Sequence, residues 1–123
     1  MDTIMEKITD SELEIMKVLW DSDSPVPLSS IRSKLQSLMN WEAATIKTLL
    51  SRLVSKKAVL QEKKEVFYYS PLVTEEEYNS WATDRLIKRL YNGKASNLVA
   101  ALLNTEGITE SDIEELRRMF KGE

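Results

Sequence analysis

The chain has 123 residues, a formal net charge of −3 at pH 7, 42% hydrophobic residues, and neither Cys nor His. That length allows one domain, or one small domain with an appendage, and the apolar content excludes disorder for the bulk of it. The missing Cys and His exclude disulfides, thiolate chemistry and the usual zinc sites, and fit a reducing cytoplasm.

Taken in chain order, the first element opens on Thr9-x-x-Glu12, a capping box in which hydroxyl and carboxylate each satisfy an unpaired backbone N–H. It predicts a helix from about Asp10 to Asp21, with Leu13, Met16, Leu19 and Trp20 on its apolar face. DSDSP ends that helix, and Pro27 biases Val26 to an extended shape, so residues 24–28 read as a short strand or bridge. A second helix is expected from about Ser29 to Leu38, burying Ile31, Leu35 and Leu38. A third, about 42–56, carries Ile46, Leu49, Leu50 and Leu53 at i, i+3, i+4, i+7 spacing, which is a core stripe. Strand formers then flank the polar segment QEKKE within residues 58–72, a β-hairpin with a charged tip. Three helices followed by a hairpin is the order of a winged helix-turn-helix.

From Thr74 the character changes. Thr74-x-x-Glu77 is a second capping box, before a helix over about 75–92 that carries Tyr78, Trp81, Leu86, Ile87 and Leu90 and ends at Asn92-Gly93. A short apolar helix follows over 97–104, and a last one over about 110–121 presents Ile113, Leu116, Met119 and Phe120. Some 50 residues are too few to bury a good core alone, so a second copy of the chain is the expected partner, and a two-fold protein suits palindromic half-sites. The fold class is thus mainly α with a small β-hairpin. A winged-helix domain over 1–73 precedes a helical dimerisation domain over 74–123.

The charge is segregated. Residues 32–64 hold eight Lys and Arg against Glu42 and Glu62, a net of +6, which leaves −9 for the rest of the chain. A basic segment in an acidic protein is an electrostatic footprint for a polyanion. The outward face of the 42–56 helix carries Ala44, Thr48, Ser51 and Ser55, flanked by Thr45, Lys47 and Arg52, with no acid after Glu42. Short side chains let a helix approach the floor of a major groove, hydroxyls bond phosphates or base edges, and flanking cations reach guanine or phosphate. Lys56 at the helix end and Lys63 and Lys64 at the wing tip complete the candidate DNA-binding set. A winged helix serving as a protein-interaction adaptor stays open as the alternative. No P-loop, GxGxxG or GxSxG motif appears, so no catalytic residue, cofactor or metal site is expected. Trp20, Trp41 and Trp81 lie at or near helix ends on apolar sides and read as packing residues. No apolar run approaches the ~20 residues of a membrane span, and MDTIMEKITD has acids where a secretory leader is basic.

The segments ITDSELEIMKVLW, PVPLSSI, W-x-x-x-TIKTLLSRLVSKK, FYYSPLV, Gly93…NLVAALL and DIEELRRMF, in that order, resemble the penicillinase-repressor (BlaI/MecI) family of bacterial transcriptional repressors. The resemblance spans nearly the whole chain, with TIKTLLSRL its most specific stretch. It implies a winged helix plus a helical dimerisation domain on a dyad operator of double-stranded DNA. It makes Thr45, Lys47, Thr48 and Arg52 look like DNA contacts, and Leu98, Leu102, Leu103, Ile113 and Leu116 like part of a dimer seam that Leu86, Leu90 and Phe120 would extend. Three departures stand out. Relatives often read Ser-Pro-Lys where this chain has Glu42-Ala43-Ala44. The Gly that often follows the paired lysines is Ala58, so the helix end must avoid a left-handed residue or accept strain. The wing tip, often Gly-Arg, reads Lys64-Glu65. Relatives in β-lactam resistance are cleaved at an Asn-Phe bond where this chain has Ala101-Leu102, and copper-responsive relatives carry a Cys-rich tail. Neither trigger has its residues here, and an inducer or protease is left open as a further partner.

Overall fold

The computed structural model describes residues 2–122. Its elements run α1 (Asp2–Glu6), α2 (Asp10–Trp20), β1 (Val26–Pro27), α3 (Leu28–Met39), α4 (Ala43–Ser55), β2 (Val59–Lys63), β3 (Phe67–Pro71), α5 (Glu75–Leu90), α6 (Ala95–Leu103) and α7 (Glu110–Phe120). One compact unit ends at Trp81 and a second begins at Ala82.

The first unit is built around α2, which packs on α3, α4 and β3. Its capping box forms as expected, Glu12 N–H donating to Thr9 Oγ1 and Thr9 N–H to Glu12 Oε1 at 3.2 and 3.0 Å. Because α2 meets neighbours on several sides, Ile15 and Val18 are buried along with Met16 and Leu19, while Leu13 and Trp20 are only half-buried. The short helix α1, which carries no periodic signal in sequence, adds Met5 to this core.

β1 is the expected bridge, pairing Val26 with Tyr69 and Pro27 with Tyr68. Helix α3 buries Ile31 and Leu35 but not Leu38, which is 74% exposed. Its last turn runs past the core, and Leu38 instead edges a shallow groove with Val18 and Met39. The α4 stripe behaves as its spacing predicts: Ile46, Leu49, Leu50 and Leu53 are all buried.

The end of α4 corrects the expectation about Ala58. The Lys57 N–H bonds Val54 O and the Ala58 N–H bonds Leu53 O, both at 3.0 Å, the two bonds of a Schellman ending. The left-handed residue is Lys57, at φ 65, and Ala58 is fully buried one residue further on. The strain of a side chain at positive φ therefore falls on Lys57. Lys57→Gly is expected to raise stability by up to about 1 kcal/mol, read as a higher urea midpoint at unchanged slope.

β2 and β3 form the hairpin, in register from Val59↔Pro71 to Lys63↔Phe67, and the sheet order is β1-β3-β2. Gln61, Glu62 and Lys63, expected in the tip, lie in β2 instead, so the turn is residues 64–66 and Val66 is 51% exposed there. Three helices and this three-stranded sheet make a winged helix-turn-helix.

The second expected capping box forms between Thr74 and Glu77. The Thr74 backbone N–H, and then its side chain, hold the Glu77 carboxyl below the usual carboxylate range. Trp20 Nε1 donates to Val73 O at 2.9 Å, and Tyr78 stacks between Trp20 and Trp81 at centroid distances of 5.8 and 5.7 Å. Burial pushes the Tyr78 hydroxyl pKa up, and the Asp10 carboxylate adds to it. The opening turns of α5 thus belong to the first unit.

Helix α5 stops at Leu90, two residues before the expected end, because Asn92 and Gly93 both turn left-handed, at φ 52 and 81. In the second unit α7 opens on its own capping box, Thr109 with Asp112. Among the described residues of this unit none is buried, and Leu90, Leu103, Met119 and Phe120 are each more than half exposed.

Candidate nucleic-acid interface

Helix α4 spends four of its thirteen residues on the core. Its outward residues Ala44, Lys47, Thr48, Ser51, Arg52 and Ser55 line one shallow depression, and all six are exposed. No acid lies within α4. Among the described residues Lys47 and Arg52 have no carboxylate partner, although Lys17, Lys88 and Arg117 pair within their own helices. Two unneutralised cations therefore flank a floor of small side chains.

The hydroxyls on this side differ. Thr48 Oγ1 donates to Ala44 O at 2.9 Å, whereas Thr45, Ser51 and Ser55 have no partner among the described residues. Thr45 sits in the first turn of α4, where Glu42 occupies the N-cap without a side-chain cap bond. The first amides of the helix are thus open to solvent and carry its partial positive charge.

Lys56 leaves the sequence-derived set. Its Nζ donates to Glu12 Oε1 at 2.6 Å and to Lys7 O at 2.7 Å. Glu12 is fully buried, and a buried carboxylate is costly without a cation beside it. That attraction draws Lys56 away from the outward face; its partner lies 44 residues earlier in the chain. Lys57, the next residue, is exposed and has no carboxylate partner among the described residues.

Lys63 and Lys64 are on the wing, not on α4. Their Nζ atoms lie over the rings of Phe67 and Tyr68, 5.6 and 5.8 Å from the centroids. Both stay exposed, so these cation–π contacts steady the side chains without neutralising them.

Of the candidate dimer residues, Leu86, Leu90, Leu102, Leu103 and Phe120 are exposed, and Leu98, Ile113 and Leu116 are half-buried. Leu102 and Leu116 line one apolar hollow with Ile108 and Met119. Among the described residues no cluster of carboxylates could hold a metal ion, and no helix is long and apolar enough to cross a membrane.

Against known proteins, the sequence profile of a family described as penicillinase repressor matches residues 8–122. The penicillinase repressor of Bacillus licheniformis is 31% identical over 116 residues, 94% of this chain and 90% of that protein. The methicillin resistance regulatory protein MecI of Staphylococcus aureus (strain N315) is 30% identical over 122 residues, 98% of each chain. Two solution structures are similar to the winged helix. The DNA-binding domain of the repressor BlaI gives a TM-score of 0.54 at 36% identity, covering 60% of this chain and 90% of that one. The monomeric form of Bacillus licheniformis BlaI, solved in complex with the blaP half-operator, gives 0.52 at 37% identity, covering 58% and 88%.

Proposed function

This chain belongs to the penicillinase repressor family, and on that premise we propose that it is a homodimeric, non-enzymatic transcriptional repressor of the cytoplasm that binds a dyad operator through α4. The observation that carries the reading is the outward face of α4: small, free of acids, and flanked by Lys47 and Arg52, which have no carboxylate partner among the described residues. It lies on a fold similar to one solved on a half-operator. A helix of this kind enters a major groove about 12 Å wide. There Lys47 and Arg52 reach base edges or phosphates, Ser51 and Ser55 donate, and Thr45 meets a phosphate at the helix N-terminus. Lys63 and Lys64 extend the positive surface from the wing. Repression follows from occupying a promoter.

Selection from random DNA, followed by location of the enriched site upstream of genes, tests this directly. Lys47→Ala is then expected to cost about 1–3 kcal/mol of operator affinity and to relax specificity at one position, as for a base-edge contact. An equal loss on operator and random duplex would assign Lys47 to a phosphate instead.

The dimer reading draws on the second unit, whose described residues include none that is buried and several exposed large apolar ones. A second copy covers such a surface at the lowest cost in new chemistry. Sedimentation at micromolar concentration is expected to give twice the 14.2 kDa chain mass. Leu116→Asp, placed in the apolar hollow of that unit, is expected to shift the species toward the single-chain mass while the winged helix keeps its near-ultraviolet signal. A wild-type protein that sediments as one chain would end the dimer reading.

A further inference from the structure

We propose that Thr48 and Ala44 form a methyl-reading spot that selects a thymine, through its C5-methyl group, in each operator half-site; this rests on the DNA-binding role of α4 given above. It starts from the asymmetry among the hydroxyls of that face. Thr48 Oγ1 donates to Ala44 O at 2.9 Å, so its single proton is used inside the helix and is not offered to a base or a phosphate. Thr48 is nevertheless exposed. With that proton turned back along α4, Thr48 has no donor left for a base; it presents its γ-methyl beside an oxygen that can only accept. Ala44, one turn earlier and also exposed, presents a methyl and nothing else.

The other residues around the same depression, Lys47, Ser51, Arg52 and Ser55, all carry donors that have no protein partner among the described residues. The face is therefore not uniformly polar: it holds one apolar spot among hydrogen-bonding groups. The major-groove edges of the four bases offer one apolar feature, the thymine C5-methyl. Against guanine O6 or N7 the same spot would bury an acceptor with no proton to meet it, which is penalised. The spot thus favours thymine by contact and disfavours guanine by omission.

The test uses the full-length protein and the duplex it enriches from random DNA, with each thymine of the half-site replaced singly by deoxyuridine, which deletes only the C5-methyl. One replacement is expected to weaken binding about four-fold, the worth of a single methyl group taken from water. Thr48→Val keeps the methyl and loses the hydroxyl, and is expected to bind like the wild type and keep that sensitivity. Thr48→Ser keeps the hydroxyl and loses the methyl; it is expected to bind about four-fold more weakly and to treat thymine and deoxyuridine alike at that position. Circular dichroism confirms that both variants fold. The assignment is overturned by a selected half-site with no fixed thymine, by indifference to every deoxyuridine, or by a methyl sensitivity undiminished in Thr48→Ser. It is equally overturned if Thr48→Val loses binding that Thr48→Ser keeps. All of these leave the repressor reading intact, because the wild type still enriches a duplex. If the wild type enriches none, both readings fall together.

Discussion

Operator affinity is expected to fall roughly 10³–10⁵-fold between 50 and 200 mM salt, as for a protein that neutralises about 6–10 phosphates. The cations behind this are Lys47, Arg52, Lys57, Lys63 and Lys64, each exposed and without a carboxylate partner among the described residues. A dimer presents that set twice, so three to five phosphate contacts per subunit reach the stated range. The chain as a whole carries −3, and a net negative protein gains nothing from its overall charge when it approaches DNA. The dependence must therefore come from the local basic surface, and it should shrink when that surface is cut. Titration of a labelled operator against salt, by fluorescence anisotropy, supplies the slope. An affinity that is flat across that range would remove α4 and the wing as the DNA-binding surface.

The second large effect concerns folding. Lys56→Met is expected to destabilise the protein by about 3–5 kcal/mol, because it strands a buried carboxylate. That is a large share of the ~5–15 kcal/mol that holds a domain together. The Glu12 side chain is fully buried, and the Lys56 ammonium is its only charged partner among the described residues. Glu12 also closes the capping box of α2 through the same oxygen. Glu12→Gln combined with Lys56→Met keeps an acceptor for the Thr9 N–H and removes both charges. The double variant should regain most of the lost stability in urea denaturation. A Lys56→Met protein within about 0.5 kcal/mol of wild type would show that the pair adds nothing. The folded double variant also checks where Lys56 points. Its salt slope for operator binding should match the wild type, whereas removing an outward cation that meets a phosphate should lower the slope by about one.

How far the fold could be read from sequence depends on the range of each interaction. The capping boxes at Thr9 and Thr74 were legible because donor and acceptor lie three residues apart. The α4 stripe was legible because helical periodicity alone puts Ile46, Leu49, Leu50 and Leu53 on one side. Leu38 shows the limit of that logic: it continues the α3 stripe, but periodicity does not say where the neighbouring surface stops. The wing tip was misplaced because no Asn-Gly or Asp-Gly fixes the turn in QEKKE. The same division runs through the candidate site. Spacing groups Lys47, Thr48, Ser51, Arg52 and Ser55 around one depression, as the structure does. It does not show that Lys56 is claimed by Glu12, a partner distant in sequence, or that the Thr48 hydroxyl bonds within its own helix.

The placement of the three tryptophans gives the molecule two separate optical signals. Trp20 and Trp81 share one aromatic stack with Tyr78, so their emission, and energy transferred from Tyr78, report whether the first turns of α5 are docked. Trp41 stands apart from that stack, just ahead of α4 and packed against the core, where its emission reports on the start of the helix that faces the groove. A single cuvette can thus follow unfolding and DNA binding with no dye attached, once a Trp41→Phe variant has separated the two contributions.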